Sequence, residues 1–380
     1  MLQPKFPAHG TTIFTVMSAL ANEHKAINLS QGFPDFNIDP ALGALVQEAI
    51  AQGHNQYAPM AGLPALRQAI AGQMQARYGI AVDADTEITI TPGATYALYA
   101  AFTAVLQPGD EVLVPEPCYD SYVPNIYTNG AQPVYVPMNP ADFSIDWAAM
   151  AAAVTPRTKA IVVNNPHNPC GSILRHEDFV QLEVLACTYG LYVIADEVYE
   201  HLVYDGKKHL SVLAYPALRQ RSFVVFSFGK TLHATGWKLG YCIAAAPLTV
   251  AFRQLHQFLA FSVNTPMQHA LANYLQHANL YESTTLLMEE KRDFFIEAMR
   301  QTPFGQLQPS AGSYFQLMSY EGISDLPDRE FSIWLTKEHG VATIPLSPFY
   351  HKPPNMKLVR FCFAKKEETL LAAADRLKNV

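Results

Sequence analysis

Polar residues that could take part in chemistry follow five apolar, β-rich stretches of this sequence. They are Gly93, Ala94 and Thr95, then Pro115–Tyr119, Asn165–Pro169, Asp196–Tyr199 and Ser227–Lys230. In open α/β sheets, ligands bind beyond the carboxyl ends of the strands. A single polar loop would mean little, because loops are polar in general. Five of them at successive strand ends favour one binding site at one rim of a sheet.

These groups suggest complementary chemistry. Lys230 follows a strand beside a glycine, where burial would lower the pKa of its amine and make it nucleophilic towards a carbonyl. Asp196 ends an apolar strand, where a carboxylate needs a cationic or hydrogen-bonding partner. The segment 93–95 opens a helix whose free N–H groups bind anions, and Ser227 and Lys238 could add to that site. Together they predict pyridoxal 5'-phosphate as cofactor. This molecule has a carbonyl group for the lysine, a ring nitrogen for the aspartate and a phosphate for the anion site.

The elements that would position these residues alternate between strands and helices. The candidate helices include 95–106, 175–189 and a long run over 249–277, and the candidate strands are 87–91, 111–114, 132–136, 160–164, 191–195, 222–227 and 239–244. Such alternation predicts an α/β fold with a mostly parallel sheet covered on both faces. After about Leu280, a charged helix over 286–300, short strands near 313–318 and 357–363, and a terminal helix predict a smaller α+β domain.

Composition excludes several classes of protein. The chain has 380 residues, 49% of them apolar and 16% charged, as expected of a globular protein with a sizeable core. The net charge of -7 and the scattered basic residues argue against nucleic-acid and membrane partners. The five cysteines have neither disulfide-framework nor metal-binding spacing. Because no signal-peptide or membrane-spanning pattern is present, we expect a cytoplasmic protein.

Four motifs resemble those of the fold-type-I, class I pyridoxal-phosphate aminotransferases. They are NPHNPCG (165–171), ADEVY (195–199), SFGKTLHATGWKLGY (227–241) and RFCFAK (360–365). The resemblance extends from about Thr12 to the C-terminus. The segments INLSQGFPDF and NQYAPMAGLPALRQAI resemble the methionine aminotransferase and glutamine/kynurenine transaminase branch. The resemblance implies a seven-stranded, mostly parallel sheet flanked by helices, within three segments: 1–33, an arm and part of the small domain; 34–280, the large cofactor-binding domain; and 281–380, the C-terminal small domain.

The resemblance also implies how the cofactor would be held. Lys230 would bind it covalently and, once displaced by substrate, shuttle a proton at the substrate's Cα. Asp196 would pair with the pyridine nitrogen and keep it protonated. Tyr199 and Asn168 would hydrogen bond to the phenolic oxygen, and Tyr119 would stack on the ring.

The phosphate contacts implied by the resemblance come from two subunits. The amides of Ala94 and Thr95 would bind it with Ser227 and Lys238, while Tyr57 would reach in from a second subunit. We therefore expect a homodimer with active sites at the interface. Lysine at position 238 departs from the aspartate-type enzymes, which have an arginine there. Because lysine offers a point charge rather than a bidentate fork, its grip on the phosphate should be looser.

Arg360 is the best candidate for the substrate's α-carboxylate, because a guanidinium fork matches a carboxylate in two hydrogen bonds. Gly32 would donate a backbone N–H to the same group. We find no second arginine for a distal carboxylate, so aspartate should bind poorly. The other substrate contacts implied by the resemblance are Phe14 and Asn168 of one subunit, and Val263 and Asn264 of the neighbouring one.

The sequence therefore predicts an aminotransferase that moves the α-amino group of methionine, aromatic amino acids or glutamine to a 2-oxo acid in a ping-pong cycle. Two alternatives stay open. A pyridoxal-phosphate-dependent carbon–sulfur β-lyase would use the same lysine, aspartate and arginine. A non-catalytic regulatory module of the same fold is disfavoured, because the chain lacks a basic DNA-binding extension and retains Lys230.

Overall fold

A seven-stranded sheet forms the centre of the structure, a computed structural model that describes residues 10–276 and 280–380. In chain order the strands are β1 (Ile27–Asn28), β2 (Ile88–Thr91), β3 (Glu111–Glu116), β4 (Gln132–Pro137), β5 (Thr158–Asn164), β6 (Tyr192–Asp196), β7 (Ser222–Ser227), β8 (Gly240–Ala244), β9 (Gly305–Gln306), β10 (Phe315–Ser319), β11 (Val341–Ala342), β12 (Ile344–Pro345) and β13 (Leu358–Cys362). The central order is β2-β8-β7-β6-β5-β3-β4, with β8 antiparallel to both its neighbours. All seven predicted strands of a mostly parallel sheet are thus confirmed.

Helices surround this sheet and the strands that follow it. In chain order they are α1 (Ile13–Glu23), α2 (Pro40–Ala51), α3 (Pro64–Tyr78), α4 (Ala94–Val105), α5 (Tyr122–Thr128), α6 (Trp147–Ala152), α7 (His176–Tyr189), α8 (Pro216–Arg219), α9 (Phe228–Thr231), α10 (Ala246–Leu259), α11 (Thr265–Tyr274), α12 (Leu280–Met299), α13 (Asp328–Glu338) and α14 (Glu367–Leu377).

The single long helical run predicted over 249–277 is wrong. The chain leaves α10 at Leu259, Phe261 takes a left-handed φ of 63°, and α11 begins at Thr265. Asn264 caps the new helix, since its side chain accepts a hydrogen bond from Met267 N at 3.2 Å. Pro266 fits the first helical turn but would interrupt a helix interior, because it has no N–H. Residue 277 itself lies outside the described residues.

The central strands are apolar on both faces because helices cover both. In β7, Phe223 and Val225 pack into the cluster that contains Val162 and α4, whereas Val224 and Phe226 pack into the cluster on the other face. Continuous burial of this kind is the usual condition of parallel strands. It leaves the strand ends as the place where polar side chains can gather.

A four-stranded antiparallel sheet, in the order β12-β13-β10-β9, forms a second core with α12, α13 and α14. Near the N-terminus, β1 pairs in parallel with β11, so this early segment joins the C-terminal elements. The three domain bounds stay a prediction, and residues 1–9 of the expected arm lie outside the described residues. Across residues 10–276 and 280–380, no helix has the length and apolar character needed to cross a membrane.

A close backbone approach at Gly240 joins the sheet to the start of α4. A Cβ at this position would lie 2.5 Å from Phe226 O and 3.1 Å from Ala94 N, both of them backbone atoms. No real side chain tolerates such distances without movement of the backbone. The absence of a side chain at Gly240 therefore lets the N-terminus of α4 sit beside the ends of β7 and β8.

We predict that Gly240→Ala lowers the free energy of unfolding by about 2 kcal/mol, because β7 and α4 must separate to admit the methyl group. Thermal and urea unfolding would measure the change. Gly236→Ala is the matched control, since Gly236 belongs to the same motif but a Cβ there meets nothing within 4 Å. Equal stability of the two variants would contradict this explanation.

Candidate active site

A cavity of about 280 Å³ lies at the carboxyl ends of the central strands. Most of the predicted site residues line it, which confirms that the polar strand ends meet at one rim. The predicted residues that line it are Phe14, Gly32, Gly93, Ala94, Thr95, Tyr119, Asn168, Asp196, Tyr199, Ser227, Lys230, Lys238 and Arg360.

Lys230 lies on the short helix α9, directly after β7, and its amine is enclosed by polar atoms and aromatic rings. Nζ is 2.9 Å from the hydroxyl of Tyr314 and 3.2 Å from Gly32 O. It also lies 5.5 Å from the ring centre of Tyr199 and 5.4 Å from that of Tyr314. Burial lowers the pKa of the Lys230 amine to about 8, partly offset by the nearby Cys362 and Asp196. The amine can therefore lose its proton near neutral pH, as a nucleophile must.

Asp196 ends β6 and is buried at the cavity wall. The hydroxyl of Tyr122 donates to Oδ2 at 2.7 Å, while Oδ1 accepts only a longer bond, 3.3 Å, from Val198 N among the described residues. Burial raises the pKa of this carboxyl to about 6, and the bond from Tyr122 opposes the rise. A cationic partner at Oδ1 would favour the charged carboxylate further.

An anion-binding site lies where α4 begins. Gly93 precedes the helix with a φ of 86°, and no side chain in the described part of the chain caps the first turn. The N–H groups of Ala94 and Thr95 therefore point outwards with the positive end of the helix dipole. Lys238 reaches the same place, because a Cβ on Gly93 would lie 3.4 Å from its Nζ. Ser227 lines the cavity at the end of β7.

Arg360 lies in β13 and is almost completely buried, with 1% of its surface exposed. Its Nη1 donates to Asn168 Oδ1 at 2.7 Å and its Nη2 to Ser30 O at 2.9 Å. The guanidinium lies 3.8 Å from the ring centre of Phe315 and 5.2 Å from that of Phe14. Nε has no hydrogen-bond partner among the described residues. Burial lowers the pKa of Arg360 to about 10, so the group stays charged and needs an anion.

Aromatic side chains form the remaining walls. Tyr119 lies with its ring centre 6.4 Å from that of Phe14 and 5.7 Å from that of Tyr122. Burial raises the pKa of both Tyr119 and Tyr199, so these hydroxyls stay protonated. The carbonyl oxygen of Phe14 accepts a hydrogen bond from Gln31 at 2.8 Å, which ties α1 to the loop that carries Gly32.

Three predicted site residues lie outside the cavity of the single chain. Tyr57 is 81% exposed and packs edge-on against Phe261, with ring centres 5.3 Å apart. Asn264 is exposed at the N-terminus of α11, and Val263 is buried beside it. Because all three were expected to act on a neighbouring subunit, the single chain does not test their roles, and these stay predictions.

The structure adds residues that the sequence did not reveal. Tyr122 binds Asp196, Tyr314 binds Lys230, and Asn164 accepts from Asn168 N at 2.7 Å. Gln31 and Phe315 line the cavity as well. Tyr122 could have been found from its spacing three residues after Tyr119, at the start of a helix. Tyr314 had no such signal, because a tyrosine beside an apolar strand is usually a core residue.

These residues fit pyridoxal 5'-phosphate. The buried carboxylate of Asp196 suits a protonated ring nitrogen, and the lysine amine suits a carbonyl carbon. The uncapped helix amides beside Lys238 suit a phosphate. The unpaired Nε of Arg360 adds a buried cation with capacity for a further anion.

Comparisons with known proteins agree with the geometry. Residues 24–377 match the family model for aminotransferase class I and II. The chain is 49% identical over 379 residues to a methionine aminotransferase of Escherichia coli, covering 100% of this chain and 98% of that one. It is 32% identical to human kynurenine–oxoglutarate transaminase 1, over 95% of this chain and 93% of that one. The crystal structure of YbdL from Escherichia coli, identified as having a methionine aminotransferase function, superposes with a TM-score of 0.97 at 49% identity over all of both chains.

The lowered pKa of Lys230 leads to a prediction about the full chain stripped of bound cofactor. Below pH 8 the amine is mostly charged and unreactive, and above pH 8 it is mostly neutral. The rate of acetylation by trace acetic anhydride should therefore rise with a midpoint near pH 8, measured on the Lys230 peptide by mass spectrometry. Acetylation that rose only near pH 10.5, the ordinary lysine value, would contradict the burial that the structure shows.

Proposed function

The chain belongs to the class I and II aminotransferases, and from this premise we propose that it transfers the α-amino group of methionine, aromatic amino acids or glutamine to a 2-oxo acid. It is a pyridoxal-phosphate-dependent transaminase. The observation that carries the substrate proposal is one buried guanidinium, that of Arg360, beside the aromatic side chains of Phe14 and Phe315, with no second arginine among the described residues that line the cavity. Such a pocket accepts a single carboxylate and an apolar or neutral side chain.

The substrate's α-carboxylate would bind at Arg360. The guanidinium is held by Asn168 and the carbonyl oxygen of Ser30, and the ring of Phe315 covers one face. Its orientation is thus fixed before substrate arrives, which reduces the entropy lost on binding. Gly32 lies in the loop that follows Ser30 and would donate its N–H to the same carboxylate.

The substrate's side chain would lie among aromatic residues. Phe14 and Tyr119 stand beside each other at the cavity wall, and Phe349 packs against Phe14 with ring centres 5.9 Å apart. Arg360 is the one arginine among the described residues that line the cavity. A second carboxylate, as in aspartate, would be desolvated there without a partner, which is costly. Methionine and aromatic side chains bury apolar surface at the same place instead.

When bound, pyridoxal phosphate supplies a carbonyl carbon that carries the amino group and a ring that withdraws electrons from the substrate's Cα–H bond. Asp196 would hold the ring nitrogen in its charged form, and Tyr119 would cover the ring face. Tyr199 and Asn168 would hydrogen bond to the phenolic oxygen.

The phosphate would bind the amides of Ala94 and Thr95 together with Ser227 and Lys238. These groups combine the dipole of α4 with a formal positive charge. A lysine provides one point of contact rather than the two parallel hydrogen bonds of an arginine. The helix amides would therefore carry a larger share of phosphate binding than in enzymes with an arginine at this position.

Lys230 would act as the base and then the acid at the substrate's Cα. With a pKa of about 8, its free amine can take a proton from Cα and return it near neutral pH. A lysine with the ordinary value would be charged at that pH and unable to accept the proton. The lowered pKa thus serves both the covalent attachment and the proton transfer.

The active form of the enzyme would be a homodimer located in the cytoplasm. An exposed apolar surface at the end of α10 supports the dimer: Tyr57, Phe258, Leu259 and Phe261 are 81%, 86%, 51% and 56% exposed, and Tyr57 packs against Phe261. Contiguous exposed aromatic residues of this size mark an interaction surface. A partner subunit seated there would bring its own Tyr57, Val263 and Asn264 towards the cavity.

Absorption spectroscopy of the purified enzyme tests the proposed reaction. L-Methionine should convert the bound cofactor to its aminated, shorter-wavelength form, and a 2-oxo acid should restore the original band. L-Aspartate should do so with a kcat/KM lower by about two orders of magnitude, because its second carboxylate finds no partner. Lys230→Ala should bind cofactor but fail to complete the conversion. Release of pyruvate and thiol from cystathionine, with no such conversion, would favour the β-lyase.

The dimer proposal predicts a specific defect in Tyr57→Phe. The variant should keep the dimeric mass in sedimentation, yet bind pyridoxal phosphate about tenfold more weakly, because one hydrogen bond to a charged group is lost. Tyr192→Phe is a suitable control, since Tyr192 lies in β6 outside the cavity lining. A monomeric wild-type protein at micromolar concentration with full activity would contradict the proposal.

A further inference from the structure

Tyr314 contacts the amine of Lys230, and the function proposed above assigns it no role. The residue is completely buried and does not line the cavity, whereas Lys230 does. Its hydroxyl accepts a hydrogen bond from Lys230 Nζ at 2.9 Å and donates one to Gly32 O. Gly32 O also accepts from Nζ at 3.2 Å. The three groups thus form a closed triangle of hydrogen bonds.

The hydrogen bonds of this triangle restrict how the free amine of Lys230 can be oriented. A neutral amine has two N–H bonds and one lone pair. The oxygen atoms of Tyr314 and Gly32 hydrogen bond to each other and lie 2.9 Å and 3.2 Å from Nζ, so the amine donates towards this pair of oxygen atoms. Because a lone pair is not directed at hydrogen-bond acceptors, the lone pair of Nζ points away from Tyr314 and Gly32.

We propose that Tyr314 is a further catalytic residue, which orients the free amine of Lys230 so that its lone pair faces the substrate's Cα. The inference rests on the proposed function, because it takes Lys230 as the group that moves the proton. Tyr314 touches the reacting nitrogen directly. Its ring packs edge-on against that of Tyr199, with ring centres 5.1 Å apart, and the two ring centres lie 5.4 Å and 5.5 Å from Nζ.

The protonation state of Tyr314 is consistent with this arrangement. Burial raises the pKa of its hydroxyl well above the usual range, so it stays neutral. A neutral hydroxyl can donate to Gly32 O and still accept from Nζ, whereas a phenolate could only accept. The carbonyl oxygen of Gly32 has two lone pairs and can accept from both partners.

The same geometry suits both directions of proton transfer. When the Cα–H bond breaks, the proton joins the Nζ lone pair and the electron pair of that bond stays on the substrate side. The resulting ammonium group has three N–H bonds and still donates towards the oxygen atoms of Tyr314 and Gly32. The N–H bond formed at the former lone pair points away from these two acceptors, so the proton taken up there can be returned to the substrate.

The first test compares Tyr314→Phe with Tyr204→Phe in the cofactor-free full chain. Tyr204 is equally buried, and its hydroxyl donates to Ser313 O, one residue before Tyr314, so it controls for the loss of a buried hydroxyl in this segment. Loss of an acceptor from the ammonium should lower the acetylation midpoint of Lys230 by about one pH unit in Tyr314→Phe. Tyr204→Phe should leave the midpoint unchanged.

The second test uses the holoenzyme with L-methionine deuterated at Cα. Tyr314→Phe should reduce kcat about tenfold, because the amine is less well aimed, and should increase the primary isotope effect on kcat. Its melting temperature should match that of Tyr204→Phe. An unchanged midpoint and isotope effect in Tyr314→Phe, in an enzyme that does transaminate methionine, would overturn this inference alone. A wild-type enzyme that does not transaminate methionine would instead overturn the proposed function.

Discussion

The site depends on the gathering of three positively charged side chains around one buried carboxylate. Lys230, Lys238 and Arg360 line the same cavity, and Asp196 is the carboxylate that lines it with them. Burial of cations is costly, and here it lowers the pKa of the lysine that must react. The excess positive charge matches a phosphate and a substrate carboxylate, so in the proposed reaction the same imbalance would prepare the base and select anionic ligands.

The register of the parallel strands brings these charges together. Asn164 at the end of β5 lies opposite Asp196 at the end of β6, and Asp196 lies opposite Val225 of β7, two residues before Ser227. Each strand therefore delivers its polar loop to the same edge. Gly240 allows the start of α4 to reach this edge, because any larger residue would collide with backbone on both sides.

The sequence predicted these strand ends because apolar strands and polar loops alternate along the chain. It did not predict the break between α10 and α11, where one apolar pattern continues through Pro266. It also missed Tyr122 and Tyr314, whose partners Asp196 and Lys230 are 74 and 84 residues away along the chain. Both look like core tyrosines in sequence, since only the folded chain shows which polar atom a buried hydroxyl meets. The roles of Tyr57, Val263 and Asn264 need a second subunit and stay predictions.

Asn168 connects the two halves of the site. Its Oδ1 accepts from Arg360 Nη1 at 2.7 Å, and its backbone N–H donates to Asn164 Oδ1 at 2.7 Å. Because Oδ1 of Asn168 accepts from Arg360, the two N–H bonds at Nδ2 remain for the hydrogen bond that we propose to the cofactor's phenolic oxygen. A shift of Arg360 towards a bound carboxylate would therefore move or release the side chain that we propose binds the cofactor. In the proposed complex, substrate binding and cofactor orientation would be coupled through this one amide, since neither of its two ends can turn without the other.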